Sequence, residues 1–317
     1  MLKYITKRLA VSVFLFLGIT ILIFILMNLA PGGPADVIAS SVDMSQEAYE
    51  ELIHSMGLDK PVLVRYGIWL GNICRGDLGI STRTNQAVSY MIGQRLIPSL
   101  ALMLTALALA LLISIPLGTV AACRPYSAWD NVSTAVAFLG TSSPNFFIAL
   151  ILIYFLAVKI GILPAQGMYD QGMEGNFLSL ARHMILPAFV LAFQMMGNLI
   201  KQTRSSVLEV LGEEYVKTAR AKGISEFQVI TRHVLRNALM PVVTMVGSMV
   251  PFLVGGAVIT EQIFSWAGIG SLMVQSIISR DYDTIMGIAV VVAVAVIATN
   301  IILDIVYSVL DPKVTTG

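Results

Sequence analysis

Reactive side chains are sparse in this chain, and where they cluster they are of one kind. Between Glu209 and Pro241 the sequence runs EVLGEEYVKTARAKGISEFQVITRHVLRNALMP and carries Lys217, Arg220, Lys222, Arg232 and Arg236, in a protein of which only 12% is charged. The three histidines, at 54, 183 and 233, are too scattered to share a metal, and Cys74 and Cys123 fit neither a zinc nor a redox spacing. A phosphate-cradling loop needs G-x-x-x-x-G-K-[ST], and the nearest approach, Lys217 and Thr218, has Val216 where the glycine must stand. Hydrolysis at membrane depth needs serine with histidine, or two aspartates; His183 at a span edge and Asp304 alone supply neither. What remains for the basic stretch is recognition: a cationic, amphipathic surface for a groove on another protein or for anionic lipid.

The elements around it are apolar. The 317 residues are 56% hydrophobic with mean hydropathy +0.82, about half the charged content of an ordinary soluble domain, and the net charge of +1 gives no reason to expect a nucleic-acid partner. Six runs are long enough to cross a bilayer of about 20 residues: Leu9 to Ala30, Leu96 to Ala122, Val132 to Val158, Met184 to Ile200, Ala238 to Ile259 and Thr284 to Leu310. The first is too long for the 7–15-residue core of a signal peptide and is expected to stay attached. Ser142-Ser-Pro-Asn145 in the third predicts a kink or tilt. Gln194, Asn198 and Gln202 share a face of the fourth, where polar residues either join helices or line a path. Residues 31–97 are expected to face water. Ser45 there caps a helix with Ala48, Leu52 and Met56 on one face, and a second helix after Asp59 carries Val62, Tyr66, Trp69, Leu70 and Ile73. Residues 159–182 and 261–283 are further polar segments.

Six spans put both termini on one side. With the N-terminus inside, the inner segments hold 12 Lys and Arg against six acids, and the outer segments eight against twelve, so the basic-inside bias makes both ends cytoplasmic. Within the basic stretch, Ser205 to Lys222 is predicted helical with Gly223 as a left-handed stop. Ser225 and Gln228 form a capping box that starts a second helix with Phe227, Ile230 and Val234 on one face.

Tyr215 to Gly223 (YVKTARAKG), followed by Arg232-His233 and Arg236 to Pro241, resembles the coupling-loop motif of ABC-importer permeases, most closely those for dipeptides, oligopeptides and nickel. Other motifs follow in the expected order: Pro31 to Pro34, Gly57 to Pro61, Gly76 to Gly79, Ser143 to Phe146, Leu186-Pro187, Arg280 to Tyr282, and Asp304 with Asp311-Pro312. Lys217-Thr-Ala219 stands in place of the general Glu-Ala-Ala, and Gly223 and Pro241 lie further apart than in the general signature, both as in the peptide and nickel branch. Ala267 and Asp283 replace prolines usual in that branch.

The resemblance implies an all-α integral membrane fold of six transmembrane helices, an ABC importer type I transmembrane domain with a large extracytoplasmic insertion after helix 1. The parts would be a tip and first helix (1–30), the insertion (31–97), the transmembrane domain (96–310, coupling loop 204–236) and a cytoplasmic tail (311–317). It implies a multi-pass protein of a bacterial plasma membrane that pairs with a paralogous permease, two cytoplasmic ABC ATPase subunits and an extracytoplasmic binding protein. ATP and Mg would reside in the ATPases, with no cofactor in this chain. Glu214, Tyr215, Ala219, Arg220, Ala221, Lys222, Gly223, Ser225, Phe227, His233, Arg236 and Pro241 would couple it to them. Gln194, Asn198 and Asn145 are candidates for the path wall, and Gly76, Asp77, Gly79, Trp266, Arg280 and Asp281 for the binding-protein landing surface. A peptide or a nickel complex would be the solute. The competing reading is an ion-coupled carrier working alone, although no ionisable residue lies in the central parts of the spans.

Overall fold

The computed structural model describes residues 2–29, 32–41, 44–254 and 257–310. The expected roles of Pro31 and of Asp311 with the tail lie outside these residues. So does that of the Asp304 side chain. The described chain is helical, and its nearest approach to a sheet is one antiparallel bridge between Ile80 and Ala87. Its contacts fall into two units, residues 1–97 with 268–317, and residues 98–267.

In the first unit the helices are α1 (Leu2–Leu29), α2 (Pro34–Ser41), α3 (Gln46–Ser55), α4 (Val62–Cys74), the start of α5 (Val88–Cys123), α14 (Ile269–Ile278) and α15 (Tyr282–Leu310). α1 packs along α15. α4 is tied to α1 by aromatic contacts, Phe24 lying 5.5 Å from both Tyr66 and Trp69, and by the Tyr66 hydroxyl 3.0 Å from that of Thr20. Tyr66, Trp69, Leu70 and Ile73 are the half-buried face, whereas Val62 stays exposed. Ser45 caps α3 as its position predicts, accepting from the Ala48 N–H, and Gly57 follows with φ +64°. The covered side of α3 is Tyr49, Leu52 and Ile53 instead of Ala48, Leu52 and Met56. α5 begins at Val88, eight residues before the expected Leu96, because Val88 and Ile92 are buried against Ile269, Leu272 and Ile288.

In the second unit the remainder of α5 is followed by α6 (Ala128–Ser142), α7 (Asn145–Leu152) with a π-helical extension to Lys159, and α8 (Phe177–Leu211). Four shorter helices lead on to α12 (Met240–Val254) and α13 (Val258–Ile263). The expected kink in the third span is a full break: α6 and the α7 segment meet at 110°. Ser143 precedes Pro144, whose ring excludes the helical conformation there, and it is extended (φ −87°, ψ 130°). By length and composition, four helices among the described residues can cross a membrane, and five if the bent pair counts as one; α12 falls short of the 22-residue span expected. Phe177 to Arg182, expected in a loop, open α8 under an Asn176 cap. His183 is buried and partnered, its Nδ1 2.9 Å from the Ser179 carbonyl.

The axis of this unit is α8. Leu191, Ala192, Met196 and Leu199 pack with Leu102, Ala106 and Ala110 of α5 and with Ala137 of α6. At the α6 crossing small residues bring the backbones together: a Cβ on Gly140 would lie 2.5 Å from the Phe193 carbonyl oxygen, and one on Gly197 2.8 Å from that of Ala137. Asp130 clamps the other end of the crossing, accepting from Arg204 Nε at 2.6 Å and Nη2 at 2.8 Å. Asp130 is 6% exposed and Arg204 30%, so losing one partner costs less than the 3–5 kcal/mol of a fully buried pair.

Gly140→Ala and Gly197→Ala are each expected to destabilise the protein by about 1–3 kcal/mol through overpacking, read as a lower unfolding midpoint in detergent. Gly93→Ala, where a Cβ would meet nothing within 4 Å, is the control and should leave the midpoint unchanged or raise it.

Candidate functional site

The basic stretch folds into a knob that closes on its own core. α8 ends at Leu211 and the chain breaks at Gly212, because Glu213 is extended (φ −68°, ψ 144°) and starts α9 (Glu214–Ala221). Ser205 to Lys222 is therefore two helices, not the single one expected. Gly223 turns the chain at φ +77°, as predicted, its N–H bonding the Arg220 carbonyl at 3.0 Å. α10 (Glu226–Gln228) follows, then a π-helical segment (Val229–Val234) and α11 (Leu235–Ala238). Ser225 is extended as an N-cap should be, but its hydroxyl makes no capping bond, so the capping box is not formed.

The wider π turn changes which residues face inward. A 3.6-residue period predicts Phe227, Ile230 and Val234; the structure buries Val229 and Val234, five apart, with Val216, Ala219 and Ala238 against Val207 and Ala122. Phe227 is thrown outward and is 77% exposed. Two links join the halves: Arg220 to Glu226 at 2.6 and 3.1 Å, and Asn237 Nδ2 to the Tyr215 hydroxyl at 2.8 Å. The Arg220 guanidinium holds the Glu226 carboxyl below its ordinary value. Of the predicted coupling residues, Ala219 belongs to the core and His233 is half-buried. Glu214, Tyr215, Arg220, Ala221, Lys222, Gly223, Ser225, Phe227, Arg236 and Pro241 are exposed. Pro241 sits in the first turn of α12, where its missing N–H costs nothing. Glu226 and Asn237 escaped the sequence reading, and only their polar character near Arg220 and Tyr215 hinted at them.

The other candidates divide. Asn145 Nδ2 donates to Gln194 Oε1 at 2.7 Å, joining two expected path-wall residues; Asn198 is exposed further along α8, and Gln202 turns aside to bond Ser206 at 3.1 Å. Two of the expected landing residues are interior. Trp266 is 1% exposed, with its indole N–H on the Pro98 carbonyl at 3.0 Å, beside a Glu261 that accepts from Ser99 at 2.6 Å. Asp281 is 2% exposed and accepts from Ser81 Oγ at 2.5 Å, the Thr82 N–H at 3.3 Å and Thr284 Oγ1 at 2.8 Å. Both correct the expectation that these two residues lie on the landing surface: apolar bulk and matched donors draw Trp266 and Asp281 inward. Gly76, Asp77 and Arg280 remain exposed, and Gly79 (φ +86°) lies half-covered beside Asp283.

Long apolar helices interrupted after α8 by a charged knob define a multi-pass membrane protein. Residues 114–316 match the family described as binding-protein-dependent transport system inner membrane component, and residues 1–103 match its N-terminal membrane component. The chain belongs to this family of inner-membrane permeases. It is 45% identical to the oligopeptide transport system permease protein AppB of Bacillus subtilis over 315 residues, and 35% identical to the dipeptide transport system permease protein DppB of Escherichia coli K12 over 335 aligned positions. Each match covers 99% of both chains. Among solved structures, the inward-facing MetNI methionine ABC transporter shares the fold, with a TM-score of 0.55 at 16% identity over 70% of this chain and 97% of that one.

The Arg220–Glu226 link sets a pH dependence. A carboxylate held below its unfolded value contributes stability at neutral pH and loses it as the medium acidifies through the folded-state value. Amide exchange at 220–226, corrected for intrinsic rate, should be slower at pH 7 than after acidification through the lowered Glu226 value, with Glu226→Gln fast under both conditions.

Proposed function

We propose that the chain is the permease subunit of an ATP-driven peptide importer, and that the knob after α8 is the handle by which separate ATPase subunits drive it. The supporting observation is Phe227, 77% exposed at the tip of a knob whose other apolar side chains are largely turned into its own core. A helix lying in lipid headgroups presents a continuous apolar face. Here one ring projects among cations, the pattern of an anchor that fills a pocket on a partner protein. The solute assignment leans on the full-length relatives, named as oligopeptide and dipeptide permeases.

In this reading α1, α5, the bent α6–α7 pair, α8, α12 with α13, and α15 make six crossings, and the basic bias keeps both termini and the knob in the cytoplasm. A paralogous permease completes the path. Two ATPases hold the ATP and Mg, this chain itself being non-catalytic, and an extracytoplasmic binding protein lands on the insertion after α1, with Gly76, Asp77 and Arg280 at the contact. Closure of the ATPases moves the knob, and α8, continuous with the membrane core, carries the motion inward as a rigid-body switch.

Purification of the assembled transporter tests this. Phe227→Ala should leave the permease in the membrane and weaken its hold on the ATPases by about tenfold or more. At Gly223 a Cβ would meet nothing within 4 Å, so the penalty is the left-handed backbone alone, about 1 kcal/mol and more for a β-branched residue. Gly223→Val should therefore insert normally yet hydrolyse ATP without uptake. Full ATPase retention by the first variant together with normal uptake by the second would overturn the proposal.

A further inference from the structure

Along α8 from Leu186 to Leu211, every exposed residue is polar: Gln194, Asn198, Lys201, Ser205 and Glu209, at spacings of four, three, four and four. That spacing draws one stripe down one face of the helix. The other long helices expose the opposite chemistry, with Phe14, Leu15 and Leu22 outward on α1, and Leu104 and Leu112 on α5. Such side chains suit lipid. The amides Gln194 and Asn198, inside the span, do not, and they require water or a polar guest; Lys201, Ser205 and Glu209 continue the same face beyond the end of the apolar run. The long side chains also argue against a tight helix contact, which this unit builds from glycine at Gly140 and Gly197.

Lys201 stands out on the stripe. Among the described residues it has no acidic partner and only a long contact from Nζ to Thr141 Oγ1 at 3.4 Å. The nearby Arg204, by contrast, is fully engaged by Asp130. Two helical turns before it is the Asn145–Gln194 pair, joined by a single hydrogen bond. Whichever way these amides are turned, the pair keeps an acceptor and a donor free, the complement of a peptide group. Seven residues of helix place Gln194 about 10 Å from Lys201, and a peptide of two or three residues spans about 7–10 Å.

We infer that this stripe is a peptide-binding wall of the translocation path, with Asn145 and Gln194 meeting the substrate backbone and Lys201 pairing with its C-terminal carboxylate. The inference rests on the importer reading above and adds to it a charged subsite.

The test uses the complete transporter in proteoliposomes, with Cys74→Ser and Cys123→Ser as background and short alanine peptides as probe. Lys201→Cys should lower ATP-dependent uptake about tenfold, the loss of one charge-assisted contact. Aminoethyl methanethiosulfonate, which rebuilds an ammonium at that position, should restore uptake, and the sulfonatoethyl reagent, which places an anion there, should not. Unchanged uptake by the variant, equal effects of the two reagents, or a thiol that reacts with neither would overturn the subsite. Should Lys201→Cys fail to assemble, the same distinction is read between Lys201→Arg, which should keep uptake, and Lys201→Gln, which should lose it, at equal membrane levels and ATP turnover. Loss of uptake by both of these variants would overturn the subsite, as would retention by both. Failure of the background transporter to take up any peptide would instead sink the importer reading.

Discussion

Where α6 crosses α8 there is no room for a side chain between the two backbones. Gly140 lies against the Phe193 carbonyl and Gly197 against that of Ala137, and the Arg204–Asp130 pair pins the crossing at its far end. The rest of the second unit depends on this approach. It aligns α8 so that one side of it reaches the α5 alanines, and it leaves a single stripe uncovered. It also holds rigid the end of the helix on which the knob is mounted. In a bilayer, where lipid tails compete equally for apolar surface, close backbone packing and polar pins are the available means of holding helices together.

The insertion and the 280s region show the same economy in the first unit. The Gly76-to-Gly79 turn and the Arg280-to-Tyr282 turn, conspicuous in the sequence for separate reasons, are parts of one arrangement. Ser81 and Thr82, just past the first turn, donate to Asp281 in the second across about 200 residues of chain. Their glycine and aspartate content follows from that geometry, with left-handed glycines at 76 and 79 and one carboxylate whose oxygens are occupied by donors. Gly76, Asp77 and Arg280 remain outside and available.

Much of the architecture was legible in the residues. Apolar length locates α1, α5, α8 and α15; Ser45 marks a cap; Gly223 marks a left-handed turn because few other residues tolerate one. What was hidden depended on partners distant in sequence or on departures from the ideal period. Asp130 with Arg204, Ser99 with Glu261 and Trp266 with Pro98 carry no local signal. Trp266 and Asp281 looked like surface recognition residues because aromatic and charged side chains in a glycine-rich segment usually are. The break at Ser143 was visible as Pro144, but not its 110° size, which packing decides. Lys201 fell just past the apolar run ending at Ile200, and only the exposure pattern of the folded helix links it to Gln194 and Asn198.

The π-helical segment at Val229–Val234 has one more consequence. A π turn is an α turn carrying one surplus residue, so it shifts the angular phase of everything beyond it by about 100° without lengthening the rod by a full turn. The knob thereby decouples two requirements that a regular helix would lock together: which residues seal its interior, and how Arg236, beyond the segment, is turned relative to Phe227, before it. The inward set stays sealed while the exposed side chains beyond the segment keep an angular phase of their own.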